Sequence, residues 1–218
     1  VSEPLAAHRV NLSTVVNALE SARAAGVRRF LFASSCAVYG DDPAPVQRES
    51  ALPRPKSHYG VQKLAAEHYL AVYRRLYGIE ALAIRFFNIY GPRQDPASEY
   101  SAVIPKFIRT MLAGEAPTIH GDGEQSRDFL FVDDATAALA TALDAERLPE
   151  GPLNAGGGEA RSLLEMTAAL RRVLGTEIEP VHGPAMPGDV RHSRADVSAI
   201  AAALGWRAET PFEEGLRK

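Results

Sequence analysis

The 218-residue chain balances 24 basic against 27 acidic side chains, a net charge of −3, and so has no basic footprint to suggest nucleic acid as its main partner. Its length suits one good core, or one domain with a small lobe, and its apolar, proline and glycine content is that of a globular protein. The single cysteine, Cys36, rules out an internal disulfide and fits a reducing, cytoplasmic compartment. No apolar run reaches membrane-spanning length, no signal-peptide pattern opens the chain, and no cluster suits a metal.

The stretch EPLAAHRVNLSTVVNALESARAAG predicts a long helix over about 3–25, with Leu5, Leu12, Val15, Val16, Leu19 and Ala22 on its apolar face and Gly26 as its stop. No strand precedes it, so the sequence reads as starting inside a fold. VRRFLFASS is a buried strand. Pro43, Pro45, Pro53 and Pro55 mark 41–57 as a surface loop. A helix follows over about 58–77, with Leu64, Tyr69, Leu70, Tyr73 and Leu76 inward and Gly78 at its end. IEALAIRFFNIYG is the next strand, and this alternation is the pattern of a parallel α/β sheet.

Past GPRQDP the rhythm changes. A helix is predicted over 103–113, a strand in SRDFLFV, and a helix to about 143 capped by Asp133 or Asp134. GPLNAGG is a short strand. Ser162 and Glu165 have capping-box spacing at the head of a helix to Leu174. Asp196 is expected to cap a last short helix ending at Gly205, with Trp206 packed behind it. The basic pairs Arg28-Arg29 and Arg171-Arg172 read as solvated helix ends.

In SHYGVQK, Tyr59 and Lys63 lie four residues apart at a helix start and share a face. In isolation this is either an acid–base device or a half-buried tyrosine beside a solvated lysine. A free phenol titrates near pH ~10, and bringing it close to neutrality takes about 4 kcal/mol of differential stabilisation. A nearby ammonium in a partly dry cleft is able to supply that. SSCAVYG (34–40), YGVQK (59–63) and RFFN (85–88) gather at strand ends, where open α/β sheets bind ligands.

Taken in order, and continued by GPRQDP, SRDFLFVDD, PGDVRHSRAD and GWRAETPFEEGLR, these segments resemble the extended short-chain dehydrogenase/reductase family, and within it the nucleotide-sugar 4-epimerases. The resemblance implies a Rossmann-like parallel α/β sheet over 1–92, truncated at its N-terminal side, and a smaller mixed C-terminal substrate-binding lobe over 93–218. Segments at about 128–155 are expected to return to the first domain. It implies NAD as cofactor and a UDP-hexose as substrate, epimerised at C4 through a 4-keto sugar. Tyr59 is then the general acid/base and Lys63 its electrostatic partner and a donor to the cofactor ribose. Ser35 bonds the reacting hydroxyl, a role that as a strand-end polar residue Ser34 would suit as well, and Ser34 is also expected against the cofactor.

The resemblance further places Asn11 and Phe87 at the cofactor and Asn88 on the sugar nucleotide. Arg127 holds the diphosphate, or else pairs with Asp128 or Glu124. Asp189 binds the uridine ribose, and Arg191 takes a phosphate contact that Met186 is unable to make. Val103 and Ile104 line the uracil and sugar pocket, or pack on the core. Ser193 stands where a bulky tyrosine would block the sugar's C2 substituent, leaving room for an N-acetyl group. Cys36-Ala37 replaces the acidic residue that dehydratases use, which disfavours elimination. A homodimer through a four-helix bundle of the two long helices is implied.

GDGEQS has Ser126, and GGGEAR has Arg161, where a phosphate loop needs its third glycine, and both read as turns. The chain is therefore expected to be the downstream part of such an enzyme and to bind NAD weakly by itself. The alternatives are another extended-family oxidoreductase, a uronate epimerase, or a non-catalytic sugar-nucleotide-binding protein.

Overall fold

A computed structural model describes residues 3–40, 42–95, 103–186 and 190–218. The first helix is Pro4–His8 (α1), a π turn over Arg9–Ser13, and Thr14–Ala24 (α2), helical backbone running through both joints. Arg29–Ser35 forms β1, and the Ser35 hydroxyl accepts from the Ala37 N–H to cap the 3-10 turn Cys36–Val38. Helix α3, His58–Tyr77, opens on the Ser57 side chain, which accepts from the Gly60 N–H, and closes on Gly78 in the left-handed region.

Strand β2, Glu80–Phe86, runs parallel to β1 in a register from Arg29–Glu80 to Ser35–Phe86. The chain then leaves the sheet at Phe87, and Asn88–Tyr90 becomes β3. In order there follow α4 (Val103–Leu112), β4 (Thr118–His120), β5 (Ser126–Phe131), α5 (Val132–Asp144) and β6 (Leu153–Ala155). The chain continues with β7 (Ala160–Ser162), α6 (Leu163–Leu174), β8 (Val181–Gly183), β9 (His192–Ser193), α7 (Ser198–Leu204) and α8 (Phe212–Arg217).

Among the described residues the first sheet is parallel, in the order β1-β2-β6. Its faces explain its sequence. Phe32, Ala81 and Ala83 meet Leu19, Leu70 and Tyr73 of α2 and α3, while Leu82, Ile84 and Phe86 meet Ala135, Ala138 and Ala142 of α5 and Ile200 of α7. A strand buried on both faces reads as a continuous apolar run, as ALAI does. The second sheet is centred on β5, which takes β3 and β9 parallel and β7 antiparallel. Strands β4 and β8 form a separate pair.

Several expectations are corrected. Leu5, Tyr69 and Leu76 face outward, because nothing among the described residues covers those sides of α1 and α3. The run 79–91 is two strands in two sheets. Neither Asp133 nor Asp134 caps α5; the Asp134 carboxylate instead accepts from the Glu209 and Thr210 N–H groups at 3.2 and 3.1 Å, tying down the approach to α8, a helix the sequence reading stops short of. The N-cap of α7 is Val197 and not Asp196, which stands one residue earlier and whose carboxylate accepts from the Ser198 N–H, while Ser162 and Glu165 form the expected capping box. Arg29 is no helix end: it lies in β1, bonded to Glu80 and to the Leu143 and Glu146 carbonyls.

Candidate active site

The carboxyl end of β1 and the first turns of α3 meet at Ser35, Tyr59 and Lys63. The two adjacent serines part company there. Ser34 points under α3, is buried, and donates to Glu67 Oε1 at 2.5 Å. Ser35 faces the other way, towards the Tyr59 phenol. Of the two hydroxyls, that of Ser35 is the one not engaged beneath α3, and the Ser34 side chain is a tether between strand and helix rather than the cofactor contact expected of it.

Tyr59 is 39% exposed as a whole residue. Burial pushes the phenol above its ordinary value, and the Ser35 hydroxyl pulls it back only in part. The expected depression by Lys63 is not present. The ammonium donates to the Ala33 carbonyl at 2.7 Å and lies 4.6 Å from the Phe32 ring centre and 5.5 Å from that of Tyr59. Burial also lowers the Lys63 ammonium. The protein by itself keeps Tyr59 in its acid form.

Around this pair, Asn11 lies in the π turn and donates to Gln62 Oε1 at 2.8 Å, so the first helix is pinned to α3 beside Lys63. Such turns recur at functional sites. Phe87 is buried with Val38, Tyr39 and Ala195, its ring centre 6.3 Å from that of Tyr39. Phe86 is plain core. Burial and the Asp128 carboxylate push the Cys36 thiol up to about 11, which suits a packing residue and not a nucleophile.

The second sheet reaches the same region: Ala195, whose N–H donates to Asp128 of β5, packs in the cluster of Val38, Tyr39 and Phe87 that Cys36 lies against. The Asn88 side chain donates to the Asp128 carbonyl at 2.8 Å. Asp128 is fully buried, and its carboxylate accepts from the N–H groups of Gly157, Gly158 and Ala195 at 2.6, 3.1 and 3.0 Å. Burial outweighs those bonds and lifts its pKa to about 6.

Arg127 sits in a row across β7, β5 and β9, in register with Arg161 on one side and Ser193 on the other. Its Nη1 donates to the Ser126 carbonyl at 2.9 Å. Arg191 is engaged elsewhere: both its terminal nitrogens meet the Asp122 carboxylate at 2.8 Å, so a phosphate would have to displace that partner. Ile104 is buried in the second-sheet core with Val103 against it. Asp189 lies outside the described residues.

Sequence reasoning missed the polar chain beneath these residues. Glu67 and Arg85 form a buried ion pair at 2.7 Å; Arg85 Nη1 donates to the Tyr39 hydroxyl at 3.0 Å, and that hydroxyl to Asn154 Oδ1 at 2.6 Å. The available signal was Arg85, a charge in an otherwise apolar strand, with Glu67 one helical turn beyond Lys63.

A family model described as NAD dependent epimerase/dehydratase matches residues 1–156. The chain belongs to that family. A UDP-glucose 4-epimerase of Mycolicibacterium smegmatis is 37% identical over 222 residues, covering all of this chain and 69% of that protein. Among solved structures, a UDP-N-acetylglucosamine 4-epimerase from Methanobrevibacter ruminantium, in complex with UDP-N-acetylmuramic acid, superposes with a TM-score of 0.95 at 36% identity, again over the whole chain and 69% of the other. The UDP-glucose 4-epimerase of Thermotoga maritima, with UDP-glucose, gives 0.94 at 35%, over the whole chain and 70% of that one.

The side chains at the cleft fit a dinucleotide's nicotinamide end. Lys63 spends one of its three N–H donors on Ala33, and two more would serve a ribose diol, while Ser35 ends the parallel strand β1 and Tyr59 stands one helical turn before Lys63 on α3.

Proposed function

We propose that the chain is part of an NAD-dependent UDP-sugar 4-epimerase, and that its site takes UDP-glucose, UDP-galactose and their N-acetyl forms. Supporting this is the Ser35 hydroxyl set against the Tyr59 phenol, one helical turn from a desolvated lysine, at the carboxyl edge of the parallel sheet. Bound NAD supplies the acceptor and later the donor of hydride at the sugar C4, and a positive ring that favours a phenolate nearby. Tyr59 takes the proton of the C4 hydroxyl as that carbon is oxidised to the ketone, and returns it to the ketone oxygen after the sugar has presented its other face. Ser35 bonds that oxygen in both halves. Because burial favours the neutral phenol, Tyr59 is ready as the acid; the base form depends on the cofactor's charge.

In this reading Lys63 and Asn11 hold the cofactor, Phe87 closes the floor beneath the nicotinamide, Asn88 contacts the sugar nucleotide, and the Arg127 row faces the diphosphate. Among the described residues no glycine-rich turn opens a helix, and the 218 residues by themselves are expected to bind NAD weakly and turn over little. The test is interconversion of UDP-sugars by the full-length protein, with Tyr59→Phe as control. That variant is expected to lose about 10²–10⁴-fold in kcat. Full activity in Tyr59→Phe refutes the assignment.

A further inference from the structure

Ser35 is held at both flanks by one buried pair. On its N-terminal side, Ser34 donates to Glu67 Oε1. On its C-terminal side, the 3-10 turn ends at Tyr39, whose hydroxyl accepts from Arg85 Nη1 at 3.0 Å and whose ring lies 4.9 Å from the guanidinium carbon. Glu67 and Arg85 close the bracket, with Arg85 Nε and Nη2 donating to the carboxylate at 3.0 and 2.7 Å. Glu67 stands eight residues after Tyr59 on α3, and so on the face that carries Tyr59 and Lys63. One carboxylate thus ties together the helix bearing the phenol, the strand bearing the serine and the neighbouring strand β2.

A buried ion pair returns little net stability for the solvation it gives up, and its rationale here is geometric. Arg85 and Glu67 are 3% and 8% exposed, and the carboxylate's acceptor sites are filled by Ser34 and the guanidinium. The chain of bonds continues from the Tyr39 hydroxyl to Asn154, whose amide donates to the Gln47 carbonyl at 3.0 Å. The turn after Ser35 is therefore also anchored to β6 and to the proline-rich loop.

We infer that Glu67 and Arg85 are positioning residues, which set the Ser35 hydroxyl against the Tyr59 phenol by gripping the backbone on either side of Ser35. The inference rests on the epimerase reading for its consequence in turnover, but not for the contact itself. Ser34→Ala and Tyr39→Phe each cut one arm of the bracket and leave the ion pair intact, so both are expected to fold.

With tyrosine labelled at ¹³Cζ and the Tyr59 signal assigned by Tyr59→Phe, the signal is expected to move in both variants towards its position in Ser35→Ala. In the full-length enzyme, kcat is expected to fall about 10- to 100-fold with KM for the UDP-sugar unchanged. Leu148→Ala, a cavity in the core on the other face of the sheet, controls for stability and is expected to move neither readout. The inference is overturned if Ser34→Ala and Tyr39→Phe leave the Tyr59 signal at its wild-type position while Ser35→Ala shifts it, or if Leu148→Ala shifts it as far. A shifted signal combined with full epimerase activity in Tyr59→Phe would keep the bracket and refute the assigned reaction, so the two failures are distinguishable.

Discussion

Asp128 concentrates the opposing forces at work in this cleft. Three backbone N–H groups favour its ionised form, and complete burial opposes it more strongly, placing its pKa at about 6. A carboxyl raised above its unfolded value binds its proton more tightly in the folded state. Its contribution to stability is complete below about pH 3.9 and is lost as pH rises through about 6. Urea midpoints should therefore fall between those values, and a carboxyl ¹³C titration of Asp128 should have its midpoint near the upper one. Asp128→Asn should flatten that segment and cost about 1–3 kcal/mol at neutral pH, since an amide has one oxygen for three donors. A midpoint in the ordinary carboxyl range would show that the N–H groups prevail. Ser193 poses a question of volume instead. It stands beside Arg127 in the sheet, and Ser193→Tyr is expected to abolish turnover of UDP-N-acetylglucosamine while sparing UDP-glucose. Equal loss on both sugars would mean that the residue does not read the C2 substituent.

At the scale of elements, α3 shows what a sequence reveals and what it withholds. Its limits were legible because the proline-rich loop before it and Gly78 after it are local signals, and the structure adds the Ser57 cap. Tyr59 and Lys63 were legible through their spacing. Glu67 was not, because a glutamate in a helix reads as solvated until its partner is known, and Arg85 is 18 residues on in another element. The split of Ser34 from Ser35 was likewise invisible, since it depends on which face of β1 meets α3. Gly60 hides the same kind of information. By helix propensity alone, alanine there should gain about 1 kcal/mol. In the fold, a Cβ at this position would lie 2.6 Å from the Ala37 carbonyl oxygen, a backbone atom with no freedom to yield. Gly60→Ala should therefore destabilise by about 1–3 kcal/mol and, by lifting the first turn of α3 from the Ser35 turn, reduce kcat as well. A stabilised Gly60→Ala would contradict that close approach.

At the scale of the whole molecule, the described residues leave an apolar stripe on α3 that the core does not explain. Val61, Tyr69, Val72 and Leu76 are exposed and recur on one face of α3, and Leu5 and Val10 are exposed on the neighbouring first helix. Isolated apolar residues on a surface need no reason, but a stripe along a 20-residue helix does. Two adjacent helices with such faces suit one half of a four-helix bundle, and we propose that a second copy of the chain supplies the other half. Light scattering of the full-length protein should give twice the chain mass at micromolar concentration. Val72→Asp, which places a charge in the middle of the stripe without touching the core, should give a monomer that retains its fold by circular dichroism. Tyr59 lies on the same helix, at its far end from Leu76, and its first turn is held by Ser57 and by Gln62 through Asn11 rather than by the stripe. The monomer should therefore keep the Tyr59 signal of the dimer, and a wild-type protein that scatters as a monomer would leave the stripe without a second copy to cover it.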